Sequence, residues 1–104
     1  MTDTVTFFKL SDNKVRTLIR DIVNEDGFGL SNHARERMKE RSILSRHVKE
    51  CLVYGDIIDE VFINSHNNWQ LNLIRIIAGM RIKVTVAVDI ESRVVVITAM
   101  KKDW

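Results

Sequence analysis

The spacing of hydrophobic residues changes at Asp56, and this change limits the folds that the chain can adopt. Before Asp56, apolar side chains recur every three or four residues, as on one side of an α-helix. After Asp56 they alternate, as on one face of a β-strand, and the alternation is clearest over residues 81–89. The 104 residues are therefore expected to form one domain in which helices precede strands.

The first half of the chain predicts three helices, at about residues 11–25, 31–43 and 45–54. A side chain that can cap the first backbone N–H groups stands at each start: Ser11, Ser31 or Asn32, and Ser45. Gly55 follows the third helix and is suited to a left-handed backbone conformation at that position. The first helix is expected to cover the core.

The second half predicts four strands, at residues 56–64, 69–78, 81–89 and 93–100. Short turns join them, which favours an antiparallel meander. The last strand is almost continuously apolar, which is typical of a central strand buried on both faces. Residues 5–10 could add a short strand or an extended segment. The predicted fold class is α+β, with N-terminal helices packed on a four-stranded antiparallel sheet.

Composition excludes some classes of protein and leaves others open. Sixteen lysines and arginines against 14 acidic residues give a net charge of +2, which permits nucleic-acid binding without requiring it. No apolar run is long enough to span a membrane, and no secretory signal is visible. The single cysteine, Cys51, has no partner for an internal disulfide. A cytoplasmic protein without a metal or another cofactor is expected.

Residues 32–41 form the most charged stretch of the chain, and His33 stands at its start. Neighbouring arginines create a positive field, which favours the neutral imidazole that can accept a proton. His33 is therefore a candidate general base, or a donor to phosphate. A capping or surface histidine is the structural alternative.

The arginines of this stretch are candidates for phosphate binding. Arg35, Arg37 and Arg41 stay charged at neutral pH, and a guanidinium can bind phosphate through two hydrogen bonds. They could also stabilise charge that develops on a scissile phosphate. The alternative is a solvated helix face, in which Glu40 pairs with Arg37 at helical spacing. Ala34 is expected to anchor the helix together with Met38.

Polar residues in the strands supply a second group of candidates. Arg81 and Lys83 share the polar face of their strand, which is either a solvated surface or a binding surface. Arg75 interrupts an apolar register and is expected to reach a cleft near the second helix. Thr98 is either a core hydroxyl or a site residue, and Lys101 gives its strand a basic end.

Three further residues are expected to have structural positions. His47 is predicted on a helix surface and His66 in a loop. Cys51 lies on the inward side of the third helix, so it is expected to be a small buried residue rather than a nucleophile.

The order His33-Ala34-x-x-Arg37-Met38-x-x-Arg41 resembles a bacterial domain-of-unknown-function family. That family is grouped with RelE/ParE-like toxins, in the barnase–EndoU–colicin–RelE class of small nucleases. The resemblance covers about residues 30–102 and leaves residues 1–29 as an N-terminal extension of a single domain, 1–104.

The resemblance implies a RelE/ParE-like fold and the toxin of a toxin–antitoxin system, which cleaves RNA without a metal. The attacking group would be the 2′-hydroxyl of the RNA. The residues that it places in catalysis are His33, Arg37, Arg75 and Thr98. The residues that it places on RNA phosphates are Arg35, Arg41, Arg81, Lys83 and Lys101. The implied partners are RNA, with ribosome-associated mRNA as one option, and a cognate antitoxin protein.

Two other functions remain open at this point. One is a non-catalytic RelE/ParE-like toxin that inhibits a protein target. The other is an accessory protein that binds nucleic acid through the same basic surface without cleaving it. Cleavage of RNA distinguishes the enzyme from both.

Overall fold

A computed structural model describes residues 12–89 and 93–102. Its elements, in chain order, are α1 (Asp12–Asp26), β1 (Gly29–Leu30), α2 (Asn32–Arg41), α3 (Ser45–Tyr54), β2 (Asp56–Ile63), β3 (Trp69–Ile77), β4 (Met80–Val88) and β5 (Val94–Lys101). The segment 5–10, the proposed cap Ser11 and the turn at 90–92 lie outside the described residues. None of the helices in the described part is long and apolar enough to cross a membrane.

The five strands form a mixed sheet in the order β1-β5-β4-β3-β2. β1 pairs with β5 in parallel, and the other neighbours pair antiparallel. The α+β class is confirmed, but the prediction of four antiparallel strands was wrong. A strand of two residues, Gly29 and Leu30, is too short to show an alternation in the sequence. β5 lies between β4 and β1. Because β1 has only two residues, β4 is the one long strand in the described part of the chain that pairs with β5.

The helices lie on one face of the sheet and share a single core with it. The inward sides predicted for the first and third helices and for residues 81–89 are confirmed. Fully buried members of this core come from every helix and from the central strands: Val15, Ile19, Ala34, Val48, Cys51, Leu52, Leu71, Leu73, Ile82, Val84, Val86 and Val96. The face of the sheet that points away from the helices is called the open face.

Two arginines of α1 bind the carbonyl groups at the end of α3. Arg16 donates to the carbonyl oxygens of Leu52 and Val53, at 2.8 Å each, and Arg20 Nε donates to Val53 at 2.9 Å. Burial lowers the pKa of the Arg16 guanidinium, and the nearby charge of Arg20 adds to this shift. These bonds satisfy carbonyls that a helix end leaves without intrahelical partners. α1 therefore covers the core and also caps its neighbour.

Gly55 follows α3 for a reason that differs from the predicted one. Its backbone is extended, with φ −68° and ψ 160°, rather than left-handed. A Cβ at this position would lie 2.4 Å from the carbonyl oxygen of Cys51 and 3.2 Å from that of Ile74. The residue must be glycine because two backbone segments approach it closely.

The turn between β3 and β4 consists of Ala78 and Gly79, rather than Gly79 and Met80. Both have positive φ, at 50° and 78°. A two-residue hairpin needs this conformation at both central positions to match the twist of its strands. β3 therefore ends at Ile77, one residue earlier than predicted.

Candidate functional site

The open face carries a row of polar side chains across β3, β4 and β5. Asn72 is paired in register with Thr85, and Thr85 with Thr98. Neighbouring residues in the same strands, such as Leu71 before Asn72 and Val84 before Thr85, are buried against the helices. Successive strand residues point to opposite faces, so these three polar residues share the open face. The row brings the candidate Thr98 into line with residues of two other strands.

A hydrogen-bond chain extends the row to β2. Thr85 Oγ1 donates to Asn72 Oδ1 at 2.7 Å, and Asn72 Nδ2 donates to Asp59 Oδ2 at 3.1 Å. Lys83 Nζ lies 3.8 Å from the same oxygen of Asp59. These hydrogen bonds fix both the oxygen and the nitrogen of the Asn72 amide. They also hold the Asp59 carboxylate next to the Lys83 ammonium group.

A bulge in β2 places Asp59 at this position. Ile58 pairs with Asn72 and Phe62 with Gln70, so three residues of β2 lie opposite one residue of β3. Asp59 itself has φ 63°, a conformation that aspartate adopts more readily than most residues. Bulges commonly redirect a side chain next to a functional site.

Asp59 and Asn72 were missed by the sequence analysis. An asparagine inside the apolar segment 69–77 was the one available signal, because asparagine is uncommon in strands. The bulge that turns Asp59 toward Asn72 depends on the pairing of two strands, and no local pattern shows it.

The first turn of α2 lies beside the middle of β5. The Ser31 hydroxyl accepts a bond from the Ala34 N–H at 3.0 Å, which confirms it as the N-cap, and donates to the Ile97 carbonyl at 2.8 Å. The Ser31 N–H donates to Val96 at 3.0 Å. His33 is exposed in this turn, and Thr98 directly follows Ile97. Two predicted site residues thus come from neighbouring segments of the fold.

The expectation that Ala34 anchors α2 together with Met38 is confirmed. Ala34 and Met38 are buried and anchor the helix, while His33 and Arg35 are exposed. Arg37 Nη1 donates to Glu40 Oε1 at 2.6 Å, the pairing expected from helical spacing. Arg41 is the last residue of the helix and is half-buried, and Ser42 after it is left-handed, at φ 56°.

Arg75 lies on the helix side of the sheet, against α3. Its Nε donates to Glu50 Oε2 at 2.8 Å and its Nη1 to the Tyr54 carbonyl at 3.3 Å. The guanidinium also lies 5.2 Å from the centre of the Tyr54 ring. The predicted position near the second helix was wrong. The Arg75 side chain points to the helix-covered face of the sheet, and α3 covers that face at this point. Arg75 therefore lies outside the site.

The remaining sheet candidates separate by register. Arg81 and Lys83 project from the open face, as predicted, and Arg81 is half-buried. Lys101 is exposed and pairs with Ile82, whose side chain points toward the helices. The register thus places Lys101 at the opposite side of the sheet from Lys83.

The histidines outside α2 differ from each other. His66 is exposed in the turn between β2 and β3, as predicted. His47 was predicted on a surface but is buried, and its Nδ1 accepts the Leu44 N–H at 3.1 Å. The N-cap of α3 is accordingly Leu44 and not Ser45. His47, three residues into the helix, thus binds the backbone N–H of the cap residue itself, while Leu44 offers no side-chain cap bond.

Cys51 is buried, as predicted, and its thiol contacts the carbonyl of Ile82 at 3.7 Å. Burial raises the pKa of the thiol to about 12, with Glu50 adding to the shift. Only a fraction of roughly 10⁻⁴ is then thiolate at pH 8, and the thiolate is the reactive form.

We expect Cys51 to resist alkylation by iodoacetamide at pH 8 in the native protein and to react fully in denaturant. Mass spectrometry of the two samples measures the difference. Rapid modification of the native protein would contradict this burial.

Comparison with known proteins identifies one relationship. The model of a family described as "Domain of unknown function (DUF4258)" matches residues 30–101. No curated protein matches the chain, and no solved structure does. The matched region begins in β1 and ends in β5, so it includes α2 and every strand of the site. The chain therefore belongs to the family of domains of unknown function called DUF4258.

Proposed function

We propose that this chain is the RelE/ParE-like toxin of a bacterial toxin–antitoxin system and cleaves RNA without a metal. The observation that carries the proposal is the bond from Ser31 to the Ile97 carbonyl, which joins the turn of exposed His33 to β5 one residue before Thr98, a residue of the open face. Lys83 and Arg81 add positive charge to the same face. Helices on one face of a mostly antiparallel sheet also support the RelE-like resemblance.

The chemistry needs few groups. His33 accepts the proton of a 2′-hydroxyl, whose oxygen then attacks the adjacent phosphorus. The bond from phosphorus to the 5′-oxygen breaks, and that oxygen takes up a proton from water, which leaves a 2′,3′-cyclic phosphate and a 5′-hydroxyl. Thr98 can donate a hydrogen bond to the phosphate, and cationic side chains stabilise its developing charge.

The candidate cations are not equally available. Arg35 is exposed on α2 and can contact phosphate directly, whereas Lys83 on the open face is half-buried beside Asp59. Arg37 must first leave Glu40. Arg81 and Arg41 are half-buried and would contribute through their charge.

A non-catalytic RelE/ParE-like toxin is the second candidate. Phe62 and Ile76 are both about half exposed, at 46% and 55%, and the strand register places both on the open face. Exposed apolar side chains near a polar row suit contact with a protein as well as with RNA.

The test is to express the full chain in a bacterial host and to follow growth and RNA integrity together. We expect growth to stop and RNA to be cut within its chains, and the purified protein to cut the same RNA in EDTA. Arrested growth with intact RNA would instead favour the non-catalytic toxin. Salt-dependent RNA binding without cleavage or arrest would favour an accessory nucleic-acid-binding protein.

A further inference from the structure

Asp59 has no role in the proposed cleavage step, yet the geometry of its pair with Lys83 is unusual for a solvated surface. Asp59 stands in a bulge with positive φ, and its side chain is 62% exposed. Lys83 is only 19% exposed, and its register neighbours on the open face are Ile74 and Met100. In such a pair the ammonium group of Lys83 can bind an anion, and the exposed carboxylate of Asp59 can accept a hydrogen bond from a hydroxyl of the same ligand.

The carboxylate is held in one orientation but keeps an oxygen available. Thr85 fixes Asn72, and Asn72 binds Asp59 Oδ2. Lys83 approaches the same oxygen. Among residues 12–89 and 93–102, no partner binds Oδ1 of Asp59. A carboxylate oxygen only accepts hydrogen bonds, so its ligand must donate one.

A ribonucleotide presents both groups that this pair can bind. Its 2′-hydroxyl can donate to Asp59, and the adjoining 3′-phosphate can accept from Lys83. The 2′-hydroxyl is the group that distinguishes RNA from DNA at a given site. We propose that Asp59 selects RNA over DNA by accepting a hydrogen bond from a ribose 2′-hydroxyl, while Lys83 binds the neighbouring phosphate.

This nucleotide is separate from the one that is cut. Asp59 is on β2, whereas the first turn of α2 is bonded to β5. Three strand spacings of about 4.8 Å separate β2 from β5, which gives about 14 Å. A few nucleotides of single-stranded RNA, crossing the strands, can span that distance. The inference therefore rests on the proposed function and adds a recognition subsite to it.

The test compares the affinities of Asp59→Asn and of the parent for RNA and DNA oligonucleotides of one sequence. Both full-length proteins carry His33→Ala, fluorescence anisotropy measures binding, and a gel verifies that the RNA stays intact. Asparagine tolerates positive φ and can keep its oxygen toward Asn72, which turns its amide N–H groups to the ligand. We expect the parent to prefer RNA about tenfold and Asp59→Asn to lose that preference.

Glu60→Gln is the matched control, since it makes the same change of charge at the next residue. It should keep the preference for RNA. If Asp59 acts only as a negative charge, Asp59→Asn will instead tighten RNA and DNA binding equally, and the preference will survive. That result would overturn the inference, as would equal affinity of the parent for RNA and DNA. Thermal unfolding verifies that each variant is folded.

Failure of this inference is distinguishable from failure of the proposed function. RNA cleavage by the unmodified chain, with an RNA preference unchanged in Asp59→Asn, would overturn only the role of Asp59. Absence of RNA binding by the unmodified chain would overturn both.

Discussion

Replacing His33 by alanine is expected to slow RNA cleavage by roughly 10²- to 10⁴-fold, the usual contribution of a general base or acid. The side chain is exposed in the first turn of α2, and the helix is anchored by Ala34 and Met38 instead. Stability should therefore change by no more than about 0.5 kcal/mol. Cleavage of an end-labelled RNA by the purified protein gives the rate, and thermal unfolding gives the stability.

His66→Ala is the control for His33→Ala, because His66 is also exposed but lies in the turn between β2 and β3. It should cleave RNA and arrest growth like the parent. Arg37→Ala should also reduce toxicity, provided that Arg37 leaves Glu40 to bind phosphate. Unchanged toxicity of His33→Ala would show that this histidine is not part of the site.

Replacing Gly55 by alanine is expected to lower the free energy of unfolding by about 3 kcal/mol. The new methyl group would lie 2.4 Å from the carbonyl oxygen of Cys51. Backbone atoms of α3 and β3 cannot move aside as the end of a flexible side chain can. For a domain of this size the loss corresponds to a fall of roughly 15 °C in Tm, measurable by circular dichroism.

Gly29→Ala provides the comparison. The nearest atom to its added methyl group would be Val95 Cγ2, at an ordinary contact distance of 3.8 Å. Its stability should stay within about 0.5 kcal/mol of the parent. Equal stability of Gly55→Ala and Gly29→Ala would mean that the approach of Cys51 and Ile74 does not restrict position 55.

Local periodicity was enough to predict the helices and the four longer strands. The apolar spacing of residues 15–23 and the alternation of residues 81–89 reflect burial on one side, and the structure buries those sides. Ser31 was also predictable as a cap, because capping depends on residues that are close in sequence. The anchoring pair Ala34 and Met38 followed from helical spacing in the same way.

Several of the errors concern contacts between residues that are distant in sequence. Arg75 contacts Glu50, and Gly55 is limited by Ile74 as well as by its own helix. The residues of the candidate site also differ in whether a local pattern could predict them. Its α2 residues were named from one segment, whereas Asp59 needs the register of β2 against β3.

The pairing of β1 with β5 also has a consequence for the order of events during synthesis. Ser31 binds Val96 and Ile97, so the turn that carries His33 has its support in the strand that is translated after all the others described. Helices can form early, but contacts across about 65 residues must wait for both partners. A nascent chain would hold an incomplete site until β5 leaves the ribosome. If the chain cuts RNA as proposed, this delay would protect its own message during translation.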